Sequence, residues 1–189
     1  MDGARMSTVA QRLNGAAPLG VRQRDDFYPT PPEGTEALLS VERFEGAIWE
    51  PACGNGAICK VLNAAGYETV GTDLVDRGFG LTPVDFLFEQ AARAPNIVTN
   101  PPFKLGVEFV RHALRLAPAK VAMLVQLRFL EGLERKRLFA ERRPARVWVF
   151  SRRLPMPSGD EGGSAGGMLA FAWFVWDADR SAETKLGWL

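Results

Sequence analysis

Ala47-Ile48-Trp49-Glu50-Pro51-Ala52-Cys53-Gly54-Asn55-Gly56 decides the fold of this chain. Residues 47–51 read as a short buried strand. Small residues and two glycines then turn the chain, and residues 57–65 carry helical spacing with Gly66 as a stop. A buried strand that turns through glycines into a helix is the repeating unit of a parallel α/β sheet. Working outward, the alternation continues. Strands are expected at 69–72, ending at Asp73, and at 96–99, running into Asn100. Further strands are expected at 120–126, 146–150 and 169–176. Helices are expected at 87–93, at 105–116 with Val107, Val110 and Leu114 inward, and at 133–141. Upstream, Thr30 and Glu33 have capping-box spacing with Pro31 at the first helical position. That predicts a helix over 31–44 burying Ala37, Leu38, Val41 and Phe44. Residues 1–24 read as a mobile tail and 155–167, rich in Pro, Gly and Ser, as a flexible loop.

Strands alternating with helices imply a doubly wound, mostly parallel sheet covered on both faces. The last two strands have no helix between them, so they should pair as an antiparallel hairpin at one sheet edge. Phe171, Trp173 and Val175 alternate with Ala172, Phe174 and Trp176, as in a strand buried on both faces.

Composition bounds the function. At 189 residues the chain is one ordinary domain. Hydrophobic residues at 47% and charged residues at 24% exclude a wholly disordered chain. No apolar run reaches the length of a membrane-spanning helix, and the N-terminus lacks the apolar stretch of a signal peptide. Two cysteines and one histidine cannot by themselves supply a four-ligand zinc site. The expectation is a soluble cytoplasmic protein with no membrane contact and no metal. A net charge of +1 points to no partner. Yet residues 128–153 hold nine basic and three acidic side chains, which suits either a polyanion or a solvated helix face.

Three motifs sit at strand ends, where ligands bind in such sheets. Gly54-Asn55-Gly56 is either a plain tight turn or a place where a ligand approaches the backbone. It lacks the third glycine of a nicotinamide-dinucleotide fingerprint, since position 59 is Cys59. Asp73, 17 residues beyond Gly56, is either a turn aspartate or an acceptor for ribose hydroxyls. Asn100-Pro101-Pro102-Phe103 is either a proline turn or a rigid acceptor pair beside an aromatic plate, suited to a planar group bearing an NH₂. Cys53 and Cys59 read as ordinary buried residues, and His112, on an expected helix, as a surface or packing residue rather than a general base.

Taken in order, Tyr28-Pro29-Thr30-Pro31, Glu50 to Gly56, Gly71-Thr72-Asp73, Val84-Asp85-Phe86 and Asn100 to Phe103 resemble the S-adenosylmethionine-dependent amino-methyltransferases. The closest likeness within them is to small phage- or prophage-type DNA adenine methyltransferases, over residues 26–176. The resemblance implies a Rossmann-like class I methyltransferase fold, a seven-stranded sheet with an antiparallel edge strand. It implies S-adenosyl-L-methionine as cofactor. Glu50, Ala52, Gly54 and Gly56 would line its methionine end, flanked by Tyr28 and Thr30. Asp73 would hold the ribose, Leu74 and Phe86 would pack against the adenine, and Asp85 would accept from its amine. Asn100 and the Pro101 carbonyl would hold the target amine, with Pro102 stiffening the turn and Phe103 stacking on the target base. DNA is the implied partner, with the base flipped out and with Arg152, Arg153 and Ser158 touching the strand. The chain would work in the cytoplasm, the host's if phage-encoded.

Residues 25–189 read as a single catalytic domain without a separate target-recognition region, which implies a short site, relaxed specificity or specificity borrowed from a partner. Three alternatives share the fold. They are an RNA base methyltransferase, a glutamine methyltransferase, and a non-catalytic module binding cofactor and nucleic acid. The glutamine enzymes usually carry Tyr at the last motif position and a helical N-terminal domain, whereas this chain has Phe103.

Overall fold

The structure is a computed structural model and describes residues 27–116, 119–157, 164–165, 169–178 and 183–189. The strands, in chain order, begin with β1 (Ile48–Glu50), β2 (Thr69–Gly71), β3 (Asn96–Thr99), β4 (Lys120–Gln126) and β5 (Arg146–Val149). They continue with β6 (Met156–Pro157), β7 (Ser164–Ala165), β8 (Phe171–Asp177) and β9 (Lys185–Trp188). Seven of them form one sheet in the order β2-β1-β3-β4-β8-β5-β9. The pairs β1/β2, β1/β3 and β3/β4 are parallel, whereas β8 runs antiparallel to both β4 and β5.

Alternation along the central strands builds two cores. Trp49, Ile97, Val121 and Met123 face one side, and Ile48, Val98, Ala122 and Leu124 face the other. Helices α1 (Pro32–Val41) and α2 (Ala57–Ala64) cover the second face through Leu38, Ile58 and Leu62, all fully buried. Helices α3 (Gly106–Arg115) and α4 (Leu133–Glu141) cover the first through Val107, Val110, Ala113 and Leu138. Burying each such aliphatic side chain stabilises the fold by about 1.5–3 kcal/mol.

Several local expectations shift. Helix α1 starts at Pro32 and ends at Val41, with Pro31 at its N-cap and no side-chain cap bond. The capping box of Thr30 and Glu33 does not form, because the Thr30 hydroxyl accepts from Asn100 Nδ2 instead. Phe44 is buried beyond the helix end, and Val41 is exposed. The helix expected at 87–93 shrinks to a single 3₁₀ turn, Phe86–Phe88, capped by the Asp85 carboxylate on the Leu87 N–H. So short a segment cannot offset the cost of helix nucleation. The pairing of β5 with β8 is the expected antiparallel hairpin, and it lies one strand in from the edge. Strand β9, which the sequence did not suggest, takes the outermost position parallel to β5. Within 155–167, expected as a loop, Met156–Pro157 pairs with Ser164–Ala165 in a short ladder. The tail 1–24 lies outside the described residues.

A buried ionic cluster ties α1 to the sheet. Glu42, just past α1 and only 3% exposed, accepts from Lys120 Nζ at 2.9 Å, Trp148 Nε1 at 2.8 Å and two nitrogens of Arg146. Arg146 also pairs bidentately with Asp177 at 2.7 and 2.8 Å. Burial alone would raise the Glu42 pKa, but the hydrogen bonds from Arg146, Trp148 and Lys120 prevail and hold it below the usual carboxylate value. Stability from Glu42 is therefore present above the ordinary carboxylate pKa and is lost as pH falls through the lower folded value. Glu42→Gln should cost about 2 kcal/mol, less than the 3–5 of a fully buried pair because Lys120 and Arg146 keep contact with water. Thermal unfolding should then show a midpoint lower by about 4–8 °C at pH 7, and an unchanged midpoint would mean the cluster contributes nothing net.

Candidate functional site

Strand β1 has β2 on one side and β3 on the other, so the chain reverses its direction of winding there. The loops after β1 and β3 leave the sheet toward opposite faces and open a crevice at the carboxyl ends. A cavity of about 500 Å³ occupies that position.

The loop after β1 forms its floor. Gly54 and Gly56 have φ of +52° and +78°, a region that side chains disfavour. A Cβ on Gly54 would also meet the Phe27 ring at 2.4 Å, and one on Gly56 the Phe79 ring at 2.5 Å. Gly54 lines the cavity, whereas Gly56 lies behind it as the N-cap of α2. A glycine offers no capping side chain, and Glu50 supplies one from the end of β1. Its Oε2 accepts from the Cys59 N–H, three residues into the helix, at 3.0 Å. Glu50 is 2% exposed, and its pKa is pushed up to about 8, mainly by burial. Burial and the nearby Glu50 and Asp73 carboxylates push the Cys53 thiol up to about 12, and burial and Glu50 push Cys59 up further. Both are therefore poor nucleophiles at neutral pH, as packing residues would be.

Asp73, just past β2, uses both oxygens on backbone. Oδ2 accepts from the Gly54 N–H at 2.8 Å and Oδ1 from the Val75 N–H at 2.9 Å. It is thus a turn aspartate that also pins the glycine loop. It keeps spare lone pairs toward the cavity, which it lines with Leu74. Leu74 is 59% exposed, an apolar surface in a cavity wall. Asp85 and Phe86 form the adjoining wall. Phe86 is buried and held from behind by Trp49, Phe109 and the edge of His112 at 4.7 Å. His112 is thus a packing residue, with burial lowering its pKa.

Asn100 leaves β3 at the opposite rim. Its Nδ2 donates to the Tyr28 carbonyl at 3.0 Å and the Thr30 hydroxyl at 3.2 Å, while Oδ1 is buried with no hydrogen-bond partner. A carbonyl can only accept, so this bond sets which way the amide points. Pro102 lines the cavity. Pro101 and Phe103 do not, and the Phe103 ring lies against Tyr28 at 5.2 Å and Phe171 at 5.9 Å.

Methyltransferases supply the comparison. No family model matches the chain, and no curated protein matches it in sequence. Solved structures do. A protein assigned as an RNA methyltransferase from Pyrococcus horikoshii superposes with a TM-score of 0.63 at 14% identity, over 91% of this chain and 98% of its own. The modification subunit assigned to a type I restriction enzyme of Vibrio vulnificus YJ016 gives 0.58 at 14%, over 95% and 49%. The M protein of the type I restriction enzyme EcoKI gives 0.54 at 15%, over 82% and 46%. The chain spans about half the length of these two subunits. It has a methyltransferase fold.

The cavity thus gathers Tyr28, Thr30, Glu50, Ala52, Gly54 and Asp73 with Leu74, Asp85, Phe86 and Asn100. Arg152 and Arg153 are exposed beyond the end of β5, at the same end of the sheet but outside the cavity wall. Ser158 lies outside the described residues. Reading the sequence missed Phe27, whose ring packs on Gly54, and Arg77, whose guanidinium lies 4.1 Å from that ring. The only signal for Phe27 was an apolar residue directly before the proline-rich helix start. Among the described residues no group of His, Cys, Asp and Glu could hold a metal ion, and no helix is long and apolar enough to cross a membrane.

Glu50 makes stability depend on pH. Its folded pKa of about 8 exceeds its ordinary value, so the folded state retains a proton that the unfolded chain gives up between pH 4.5 and 8. Stability should fall as pH rises through that window. Glu50→Gln keeps an acceptor for the Cys59 N–H but has no proton to lose. The midpoint of the variant relative to wild type should therefore rise by several degrees between pH 5 and pH 9, because each pH unit inside the window changes stability by about 1.4 kcal/mol. A constant difference in thermal unfolding would contradict the raised value.

Proposed function

We propose that the protein is an S-adenosylmethionine-dependent methyltransferase that methylates the exocyclic N6 amine of adenine in DNA. The observation that carries this reading is the Asn100 amide. Both its hydrogens are committed to Tyr28 and Thr30, and its oxygen is buried and unpartnered beside a cavity. An unpaired buried acceptor costs roughly 1–3 kcal/mol, so its retention suits a donor that arrives with the substrate.

The chain's residues fit the cofactor. Gly54 lets a ligand approach the loop backbone, Asp73 has spare lone pairs for ribose hydroxyls, and Leu74 and Phe86 offer apolar surface to a flat ring. Asp85 adds an acceptor beside them. Glu50 and Ala52, with Thr30 and the Tyr28 backbone, flank the methionine end. A cationic group bound near Glu50 favours loss of its proton. When bound, the cofactor supplies an electrophilic methyl group on a positive sulfur.

Asn100 Oδ1 accepts one hydrogen of the target amine. The resemblance assigns the second acceptor to the Pro101 carbonyl, next to the Pro102 carbonyl that takes the Leu105 N–H at 2.9 Å. Two hydrogen bonds in the plane of the amine leave its lone pair free for attack. A bound cofactor would supply the methyl and keep the C–S electron pair as a neutral thioether, while Asn100 Oδ1 and the Pro101 carbonyl would hold the amine as it forms the C–N bond and gives one proton to solvent. Positioning and electrostatics carry the rate. A duplex substrate requires base flipping, and Arg152, Arg153 and Ser158 are the proposed backbone contacts.

Incubation with methyl-labelled S-adenosylmethionine and unmethylated DNA, beside RNA and a protein extract, should place label in N6-methyladenine. Asn100→Ala should reduce the rate by about a hundredfold or more. Label in RNA or glutamine would move the substrate within the same fold, and cofactor binding with no labelled acceptor would favour a non-catalytic module.

A further inference from the structure

We propose that the Tyr28 ring is the second wall of the acceptor slot, so that the target ring enters between Tyr28 and Phe103 and stacks on both. The inference deepens the proposed function and rests on it. The resemblance of the sequence assigns Tyr28 to the methionine end of the cofactor, but its ring contact is elsewhere. Tyr28 lies on Phe103 with centroids 5.2 Å apart and planes 19° from parallel. The other neighbour of Phe103, Phe171, is 5.9 Å away and tilted by 42°. Of these two ring neighbours, Tyr28 is the one that lies near-parallel to Phe103.

A flat substrate stacking on Phe103 must expel Tyr28 or slide in beside it. Displacing the whole Tyr28 residue would break the bond from Asn100 Nδ2 to its backbone carbonyl, and with it the orientation of the amide that faces the amine, whereas moving the ring alone leaves that bond intact. Pro29 and Pro31 stiffen the backbone on either side, and Thr30 is buried and bonded to the same amide. The backbone of Tyr28 is thus held while its half-buried ring retains freedom to shift. Admitting a ring between the two needs centroids about 7 Å apart, two aromatic contacts of ~3.5 Å. That is a widening of about 2 Å from the observed spacing, within reach of side-chain rotation. A slot with aromatic walls on both sides selects a nucleobase over the short amide of a glutamine side chain.

The test uses the full chain with Tyr28→Leu and Tyr28→Phe. Three quantities are read: the quenching of a 2-aminopurine-containing single-stranded oligonucleotide on binding, the KM for unmethylated DNA, and the S-adenosylmethionine dissociation constant by calorimetry. Wild type and Tyr28→Phe should quench the probe, whereas Tyr28→Leu should lose the quench. Tyr28→Leu should also raise the KM for DNA about ten- to a hundredfold and leave the cofactor constant within about twofold. A weakened cofactor with unchanged KM would make Tyr28 a cofactor wall and overturn the slot. Parallel loss of both with a lowered melting temperature, or no change in either, would reduce it to packing and overturn the slot as well. Quenching by the wild type without methyl transfer to any base would sink the proposed reaction and leave the slot standing, and absence of quenching in the wild type would sink the slot.

Discussion

The parallel pairing of β1 with β3 is the constraint on which the rest of the structure depends. Parallel neighbours need long crossovers, and the crossovers put α2 on one face of the sheet, beside the N-terminal α1, and α3 on the other, beside α4. Because β2 and β3 lie on opposite sides of β1, the two loops that follow β1 and β3 separate, and the gap between them is the cavity. Most residues with a proposed chemical role in the cavity hang from the ends of β1, β2 and β3 or from the segment that the Asn100 amide pulls across them, and Asp85 and Phe86 come from the 3₁₀ turn after β2.

That pull gives the site its coherence. Residues 27–30 have no strand or helix of their own, yet they form one wall because Asn100 bonds to the Tyr28 carbonyl and the Thr30 hydroxyl. Thr30 is diverted from capping α1 to do so. The helix accepts a proline start without a side-chain cap, and a lost cap costs typically about 1 kcal/mol. In exchange the amide is fixed with its oxygen unsatisfied. A local departure of this kind is expected where function competes with stability.

Two buried carboxylates show how differently one residue type can be used. Glu42 meets two cations and an indole N–H, stays ionised and ties α1 to β4 and β5. Glu50 has the N–H and thiol of Cys59 and a neighbouring Asp73 but no cation among these causes, so burial prevails and it holds its proton near neutrality. The first arrangement serves the scaffold. The second stores a cost that a bound cation would relieve.

The sequence by itself determined the alternation of strands and helices and which strand ends carry polar residues. Hydrophobic alternation, the glycine turn and the placement of Asp73 and Asn100 after apolar runs are local signals, and local signals survive in one dimension. It also brought Cys53 and Cys59 out as buried residues from their type, whereas it left His112 between surface and packing until the Phe86 contact placed it. What it could not carry were contacts between distant segments. The diversion of Thr30 to Asn100, the stack of Tyr28 on Phe103, the Phe27 ring on Gly54 and the docking of β9 beside β5 each join residues far apart in the chain. The edge strand Lys185–Trp188 has exposed side chains and no clear alternation, so only its backbone pairing defines it. Tertiary structure alone decided these, because a hydrogen bond or ring stack depends on distance in space, and only the packed sheet sets that distance.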